Sequence, residues 1–502
     1  MLLNPSFLKL HKTPLLLALA SAVLYWFFAY DLARTEYVKL IALYTMLFTM
    51  FYQLVKQLKH RPKLLTYLAF GFRAIFILAI PNLSQDFYRF IWDGRMILEG
   101  FNPYLHTVQS FIDTEQYPVA QALALRDGMG ALNASHYTNY PPINQLCFVI
   151  AGLFAGKSIL GSAIVMRLLI IAADFGTLHF GKKLLETLKI PSYNILWYIL
   201  NPFIIIELTG NLHFEGVMIF FLVWSLYLLY AAKWQWAAVA FALSISVKLI
   251  PLLFLPLFFQ WFVKRNVIST ELSDEKSQKQ TTAQKKMLKN TSVKLSTSVQ
   301  HDKYIKWIPA FAGMTRLVGF YLIVIITTVL LFVPFYSSAF INNYAETVAL
   351  WFQNFEFNAS IYYIARAIGY SFRGYNEIAI IGQYIPIVVI VFTLMLTFFR
   401  KNKSMVELIT AMLFALSFYY FTTTTVHPWY VATLLILSVF TRYKFPLVWS
   451  FVIILSYLAY VNLNKADKSE NLWVIALEYS IVYGVFIWEV FIKKAPAITE
   501  AS

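Results

Sequence analysis

Apolar runs long enough to cross a bilayer recur along this chain. A helix needs roughly 17–25 consecutive, mostly apolar residues to span the hydrocarbon core. Pro14–Tyr30, Tyr37–Val55, Leu64–Ile80, Ser158–Phe180, Leu317–Tyr336 and Ile378–Phe399 all reach that length. Only 13% of the 502 residues are charged, where a soluble domain carries about 25%. The chain is therefore read as an all-α integral membrane protein, a polytopic helical bundle of about 13–14 transmembrane helices. The formal net charge is +16, and most of the excess sits in short loops between apolar runs. That pattern fits positive-inside topology and anionic membrane lipid, and argues against nucleic acid as a partner.

Counting spans from the N-terminus puts the basic loops on one side. Lys56, Lys59, Arg61 and Lys63 share it with Lys182 and Lys183, with Arg400, Lys401 and Lys403, and with Arg442 and Lys444. This side is read as cytoplasmic, with both termini on it. The expected location is the inner membrane of a bacterium, as a multi-pass protein. The first apolar run has no small-residue cleavage pattern after it and reads as an uncleaved anchor. A single cysteine, Cys147, excludes an intrachain disulfide and a cysteine-rich metal site.

Residues 1–492 form one expected membrane domain. Within it, 82–157 is an outer loop with juxtamembrane helices, including Ile143–Gly156, which is apolar but too short to cross. Residues 264–316 are polar and lysine-rich, and read as a flexible cytoplasmic insert. Residues 337–376 form a second outer loop, with Trp351, Phe355 and Tyr362 on an expected interfacial helix. Residues 493–502 are a short tail.

The densest group of reactive side chains opens the first outer loop. Ser84 can cap a helix whose first turn contains Asp86. At 3.6 residues per turn, Asp86, Arg89, Phe90 and Asp93 share one face. Arg89 and Asp93 also have the spacing of an ordinary i,i+4 ion pair. Arg95 follows on the same helix, and Gly100 with Asn102-Pro103-Tyr104 ends it. Further along, His213 and Glu215 lie at an outer helix end. Sugar contact ranks first for them, capping second and metal ligation third, because two ligands do not make a metal site. Lys248 sits among apolar residues beside a break, and an intramembrane lysine is by default functional. Its bland alternative is snorkelling to the interface. His427-Pro-Trp-Tyr430 has the composition of an interfacial aromatic belt. Asp174 lies mid-span and requires a partner, either Arg167 or a polar group of a neighbouring helix. Arg73, Glu207 and Glu478 raise the same question.

The block Ser84-Gln-Asp-Phe-Tyr-Arg-Phe-Ile-Trp-Asp-Gly-Arg95, followed by Gly100-Phe-Asn-Pro-Tyr104, resembles the first outer loop of GT-C type glycosyltransferases that use polyprenyl-phosphate sugars, in particular mannosyltransferase-like members. Tyr140-Pro-Pro-Ile143 is similar to the segment that closes that loop. Asn211-Leu-His-Phe-Glu-Gly216, Lys248-Leu-Ile-Pro251 and His427-Pro-Trp-Tyr430 resemble weaker motifs of the same family. Two departures are the 264–316 insert and Glu215, where aspartate is commoner.

The resemblance implies transfer of a hexose, with mannose expected, from a polyprenyl phosphate to a hydroxyl of an envelope glycolipid, glycan or protein, with inversion. Asp86 is the expected general base in the catalytic outer loop. Arg89, Asp93, Arg95, Tyr104, Tyr140, His213, Glu215, Lys248, His427 and Tyr430 are the expected substrate-binding residues. Lys248 is the first choice for the phosphate, with Arg89, Arg366 or Arg373 as alternates. No cofactor is required, although the reading leaves room for a divalent metal such as Mg or Mn. A first-turn carboxylate is stabilised as the anion, while a neighbouring phosphate pushes the other way. The alternatives are a transporter or flippase for a lipid-linked sugar, which would line a central path with charge, and a scaffold with a vestigial site. The polar residues cluster at outer loops and outer helix ends, which favours the transferase.

Overall fold

The computed structural model describes residues 5–263, 301–464 and 470–493. Among the described residues every regular element is helical, and one isolated parallel bridge joins Phe357 to Thr425. The helices are α1 (Pro5–Tyr30), α2 (Tyr37–Leu58), α3 (Pro62–Ile75), α4 (Asp86–Leu98), α5 (Val108–Asp113), α6 (Ala122–Ser135), α7 (Pro142–Ala155) and α8 (Ile159–Thr187), with the later elements named below by their residues. Among the described residues seven helices are long and apolar enough to span a bilayer: Lys12–Tyr30, α2, α8, Phe311–Phe335, Ile378–Phe399, Met405–Thr422 and Leu472–Ile492. The chain is thus a polytopic helical membrane protein.

The expected 13–14 spans are not reached: among the described residues seven helices qualify, or eight if one bent pair counts as a span. One further candidate is a broken pair, Pro202–Gly210 and Glu215–Tyr230, bent by 115°. Five other apolar helices are shorter than a bilayer is thick, among them Trp234–Ile245, Ile250–Val263 and Pro428–Val439. Prolines account for much of this. Pro251, Pro256, Pro428 and Pro446 fall inside or at the start of these pieces, where the missing N–H and the ring break the α-helical ladder. Of the expected insert, 264–300 lies outside the described residues, as does the tail beyond 493. Residues 301–316 are helical, as the first part of His301–Phe332. Their Trp307, Ile308, Phe311 and Met314 carry the apolar pattern into the span that follows.

The expected outer-leaflet helix is α7. At 14 residues it is about 21 Å long, short of the roughly 30 Å hydrocarbon core. Its inner face packs on α4 through two glycines. A Cβ on Gly94 would stand 2.3 Å from the Phe148 carbonyl oxygen, and one on Gly152 would stand 2.7 Å from Leu98. The Asp93-Gly94-Arg95 triplet is therefore a contact surface as well as a polar one.

Charges within the spans have local partners. Asp174 on α8 accepts from Arg73 Nε of α3 at 2.7 Å, with both side chains fully buried. Arg73 also donates to the carbonyls of Ala69 and Ile199. Asp174 thus pairs across helices, while Arg167 serves elsewhere. Arg167 donates to the carbonyls of Thr209, Gly210 and Ile77 at 2.8, 3.0 and 2.9 Å, and so secures the break after Gly210. Glu207 accepts from Tyr457, and Glu478 accepts from Asn358 and Trp449. Removing one partner of a buried pair leaves an uncompensated charge, at a cost of about 3–5 kcal/mol. Asp174→Ala should therefore lower the thermal unfolding temperature of the detergent-solubilised protein far more than the double replacement Arg73→Met/Asp174→Leu. Equal losses in a melting assay would show that the pair does not hold α3 to α8.

Candidate active site

The site is built where α4 begins. Asp86 N donates to Ser84 Oγ at 3.3 Å, which closes the turn into the helix. One residue earlier, Gln85 Nε2 donates to the Met129 carbonyl at 2.8 Å. That contact requires the kink in α6 at Gly130, where φ is 78° and ψ is 164°. A side chain at Gly130 would be strained and would meet Gln85 at 3.0 Å. The kink turns the end of α6 so that Asn133 Nδ2 donates to Asp86 Oδ1 at 3.3 Å. Among the described residues Oδ2 has no hydrogen-bond partner.

Asp86 is half-buried, and burial raises its carboxyl above the ordinary range. The Lys248 ammonium, the Asn133 hydrogen bond and the Arg34 guanidinium oppose that effect without cancelling it.

The rest of α4 braces this carboxyl. Arg89 Nε donates to Asp93 Oδ1 at 2.8 Å, and Gln145 of α7 donates to Asp93 Oδ2 at 3.2 Å. Arg89 Nη1 holds the carbonyls of Asn133 and His136 at 2.6 and 3.1 Å. A continuous chain therefore runs from Asp93 through Arg89 to Asn133 and back to Asp86. Arg95 bonds to the Ala120 carbonyl and the Gln121 amide oxygen, away from Asp86. Tyr104 donates to the Tyr140 carbonyl at 2.6 Å, and its ring packs on Phe335 and Phe340. Arg89, Asp93, Arg95 and Tyr104 form the frame, each bonded to protein partners, although Arg95 Nε and Nη2 are buried without one.

The second half comes from the broken helices. Ile143 N donates to the Ser246 carbonyl and Asn144 Nδ2 to the Val247 carbonyl, at 2.9 and 3.0 Å. These bonds stitch the Tyr140-Pro-Pro turn to the break that carries Lys248. Leu83 N donates to Asn211 Oδ1 at 3.1 Å and ties the Asp86 turn to the other break. Lys248 forms an ion pair with the fully buried Glu215 and lies 5.6 Å from the Tyr430 ring centre. It is also within electrostatic reach of Asp86, His213 and His427. Trp429 is sandwiched between two imidazoles, His213 at 3.7 Å and His427 at 4.6 Å, with near-parallel rings. The Tyr140 ring packs edge-on to Phe90 at 4.9 Å, and both Asp86 and Glu215 act on its hydroxyl. Burial, then Lys248, pushes the His427 imidazole down to about 3, so it is neutral near pH 7.

The structure thus brings Asp86, Tyr140, His213, Glu215, Lys248, His427 and Tyr430 together. Arg366 and Arg373, the alternates for phosphate, are paired with Glu356 and Glu377. Sequence reasoning missed Asn133, which had no motif around it, and the role of Trp429 as the sandwiched ring. Three buried polar atoms here lack a hydrogen-bond partner: His213 Nε2, which stands 4.0 Å from Glu207 Oε2, Glu215 Oε2 and His427 Nδ1. Among the described residues no group of three or more His, Cys, Asp or Glu side chains could hold a metal ion. His213 Nε2 and Glu215 Oε2 are open atoms, but Glu215 is already neutralised by Lys248.

A family model described as "Alpha-(1->6)-mannopyranosyltransferase, N-terminal domain" matches residues 13–264. Alpha-(1->6)-mannopyranosyltransferase A of Mycobacterium tuberculosis is 23% identical over 144 residues. That match covers 28% of this chain and only 26% of the mycobacterial protein. The 13–264 segment contains α4, both helix breaks, Glu215 and Lys248, while His427 and Tyr430 lie beyond it.

If Asp86 must be ionised to act, the acid limb of kcat/KM against pH should lie above the ordinary aspartate value of about 3.9. The Asn133 hydrogen bond favours the anion, so Asn133→Ala should move that limb to still higher pH. An unmoved limb in the variant would detach Asn133 from Asp86.

Proposed function

The chain belongs to the alpha-(1->6)-mannopyranosyltransferase family, and from that premise we propose that it is an integral membrane glycosyltransferase that moves a hexose, with mannose the expected sugar, from a polyprenyl phosphate to an acceptor hydroxyl. The observation that carries the reading is a half-buried carboxyl of raised basicity, Asp86, held outside the apolar spans and facing a cationic and aromatic cluster. The acceptor is a glycan or glycolipid of the envelope, and the location is a bacterial inner membrane with the site on the outer side. The basic loops supply the physical reason for that orientation, since counting spans along the sequence puts them on the side opposite Asp86.

In the proposed step the acceptor oxygen attacks the anomeric carbon and its proton passes to Asp86. The bond from the anomeric carbon to the phosphate oxygen breaks on the opposite face, and polyprenyl phosphate leaves with that electron pair. The anomeric configuration is inverted. Placed on this side, Asp86 acts on the acceptor, while Lys248, paired with Glu215, lines the wall of the pocket that faces it. The open atoms of His213, Glu215 and His427 are suited to sugar hydroxyls, which would satisfy them. The sandwiched Trp429 holds the His213 and His427 rings in place.

The transporter reading receives no support from the family or from the buried charges. Arg73 with Asp174, Arg167 and Glu478 each bond to immediate protein neighbours. The test uses purified full-length protein with polyprenyl-phosphate mannose and an acceptor glycolipid. Asp86→Asn should keep the wild-type melting behaviour and lower transfer by a factor of about 10² or more. Full activity in that variant would remove Asp86 from the mechanism, and movement of intact donor across vesicles without bond exchange would remove the transferase.

A further inference from the structure

Four cations can be considered for the donor phosphate by sequence, and the structure pairs each with a carboxylate: Lys248 with Glu215, Arg89 with Asp93, Arg366 with Glu356 and Arg373 with Glu377. A cation already neutralised by a buried acid is a weak anchor for a further anion. A fifth cation stands beside Asp86. Arg34 lies in the short turn between α1 and α2, next to two acids, Asp31 and Glu36. Both acids are taken by Lys39, at 2.9 and 3.3 Å. Among the described residues Arg34 has no ion pair.

Its position is nevertheless fixed. Arg34 Nη1 donates to the Leu83 carbonyl at 3.4 Å, three residues before Asp86. Its guanidinium lies 4.3 Å from the centre of the Tyr460 ring. Tyr460 is the first of a run of contacting rings that leads into the site. It meets Phe357 at 5.7 Å, Phe357 stacks on His427 at 5.0 Å, and His427 stacks on Trp429. Phe357 is held there by two backbone bonds with residues 424–426, Phe357 N to the Thr424 carbonyl and Val426 N to the Phe357 carbonyl. Arg34 therefore stands at one end of the aromatic wall whose other end carries His213. Its field reaches Asp86.

We propose that Arg34 is the guanidinium that binds the phosphate of the lipid-linked sugar, held in place by the Tyr460 ring and the Leu83 carbonyl. The inference rests on the glycosyltransferase reading above. A planar guanidinium on an aromatic face keeps several N–H donors free, and these match two oxygens of one phosphate at once. Half-burial beside the first outer loop puts it where a lipid headgroup meets the protein. In this arrangement Lys248 and Glu215 remain a neutral pair that shapes the sugar pocket, and Arg34 supplies the uncompensated positive charge.

The experiment measures binding of a polyprenyl phosphate to the purified full-length protein, with the matching polyprenol as the phosphate-free probe, alongside steady-state transfer. Wild type should bind the phosphate form more tightly than the alcohol. Arg34→Ala and Arg34→Gln should weaken the phosphate form by a factor on the order of 10–100 and leave the alcohol unchanged. The donor KM should rise, the acceptor KM should stay, and Arg34→Lys should recover part of the loss. Arg34→Gln retains an N–H for the Leu83 carbonyl, so it reports on the phosphate if Arg34→Ala fails to fold. Wild-type affinity for the phosphate form in Arg34→Gln would overturn the assignment. If wild type itself does not distinguish the phosphate from the alcohol, the proposed donor falls and Arg34 falls with it.

Discussion

Arg167 makes the arrangement possible. A helix that stops inside a membrane bundle leaves carbonyls that water cannot reach, and each such group costs several kcal/mol if unmet. The piece Ile205–Gly210 stops in this way, and the Arg167 guanidinium takes the carbonyls of Thr209 and Gly210 while also holding Ile77 from the turn after α3. The chain then turns sharply and restarts at Glu215. Because that break is secured, His213 and Glu215 can lie deep in the protein with open polar atoms. Without a secured break, the segment would be a plain span with no room for chemistry.

The same logic applies to the second break, after Ile245. There the carbonyls of Ser246 and Val247 are met by Ile143 N and Asn144 Nδ2 from the start of α7. The Tyr140-Pro-Pro turn is thus a structural clamp on the segment that presents Lys248. Proline at the first turn of α7 suits a position whose N–H would have no helical partner. Gly94 then lets α7 lie against α4, and Asp86 at one end of α4 comes to face Lys248. Small residues, prolines and carbonyl caps accomplish most of the placement, and the charged residues fill the position they create.

Much of this is legible along the chain. The block from Ser84 to Tyr104 identifies the helix that carries Asp86 because its spacing puts the acids and Arg89 on one face. Lys248 stands out because a lysine among apolar residues is costly. The Arg89–Asp93 pair is visible as spacing, but its purpose is not. The spacing cannot show that Arg89 also holds the Asn133 carbonyl, since Asn133 is 44 residues away in sequence. Asp174 shows the same limit. Its need for a partner follows from its place in a span, whereas the choice of Arg73 over Arg167 depends on which helices are neighbours.

By itself the sequence determined the solvent and the secondary structure: runs of apolar residues admit helices in lipid, and the lysine and arginine bias divides the loops into two sides. It also determined which short stretches bear reactive groups, because polar side chains in such a chain are few. Only the tertiary structure decided which of those groups meet, which cations are neutralised and which remain open. The reason is that ion pairing and burial depend on distances across helices, and those distances are set by glycine contacts, helix breaks and carbonyl caps. Arg73 taking Asp174, 101 residues away, is one such outcome, and no spacing rule along the chain contains it.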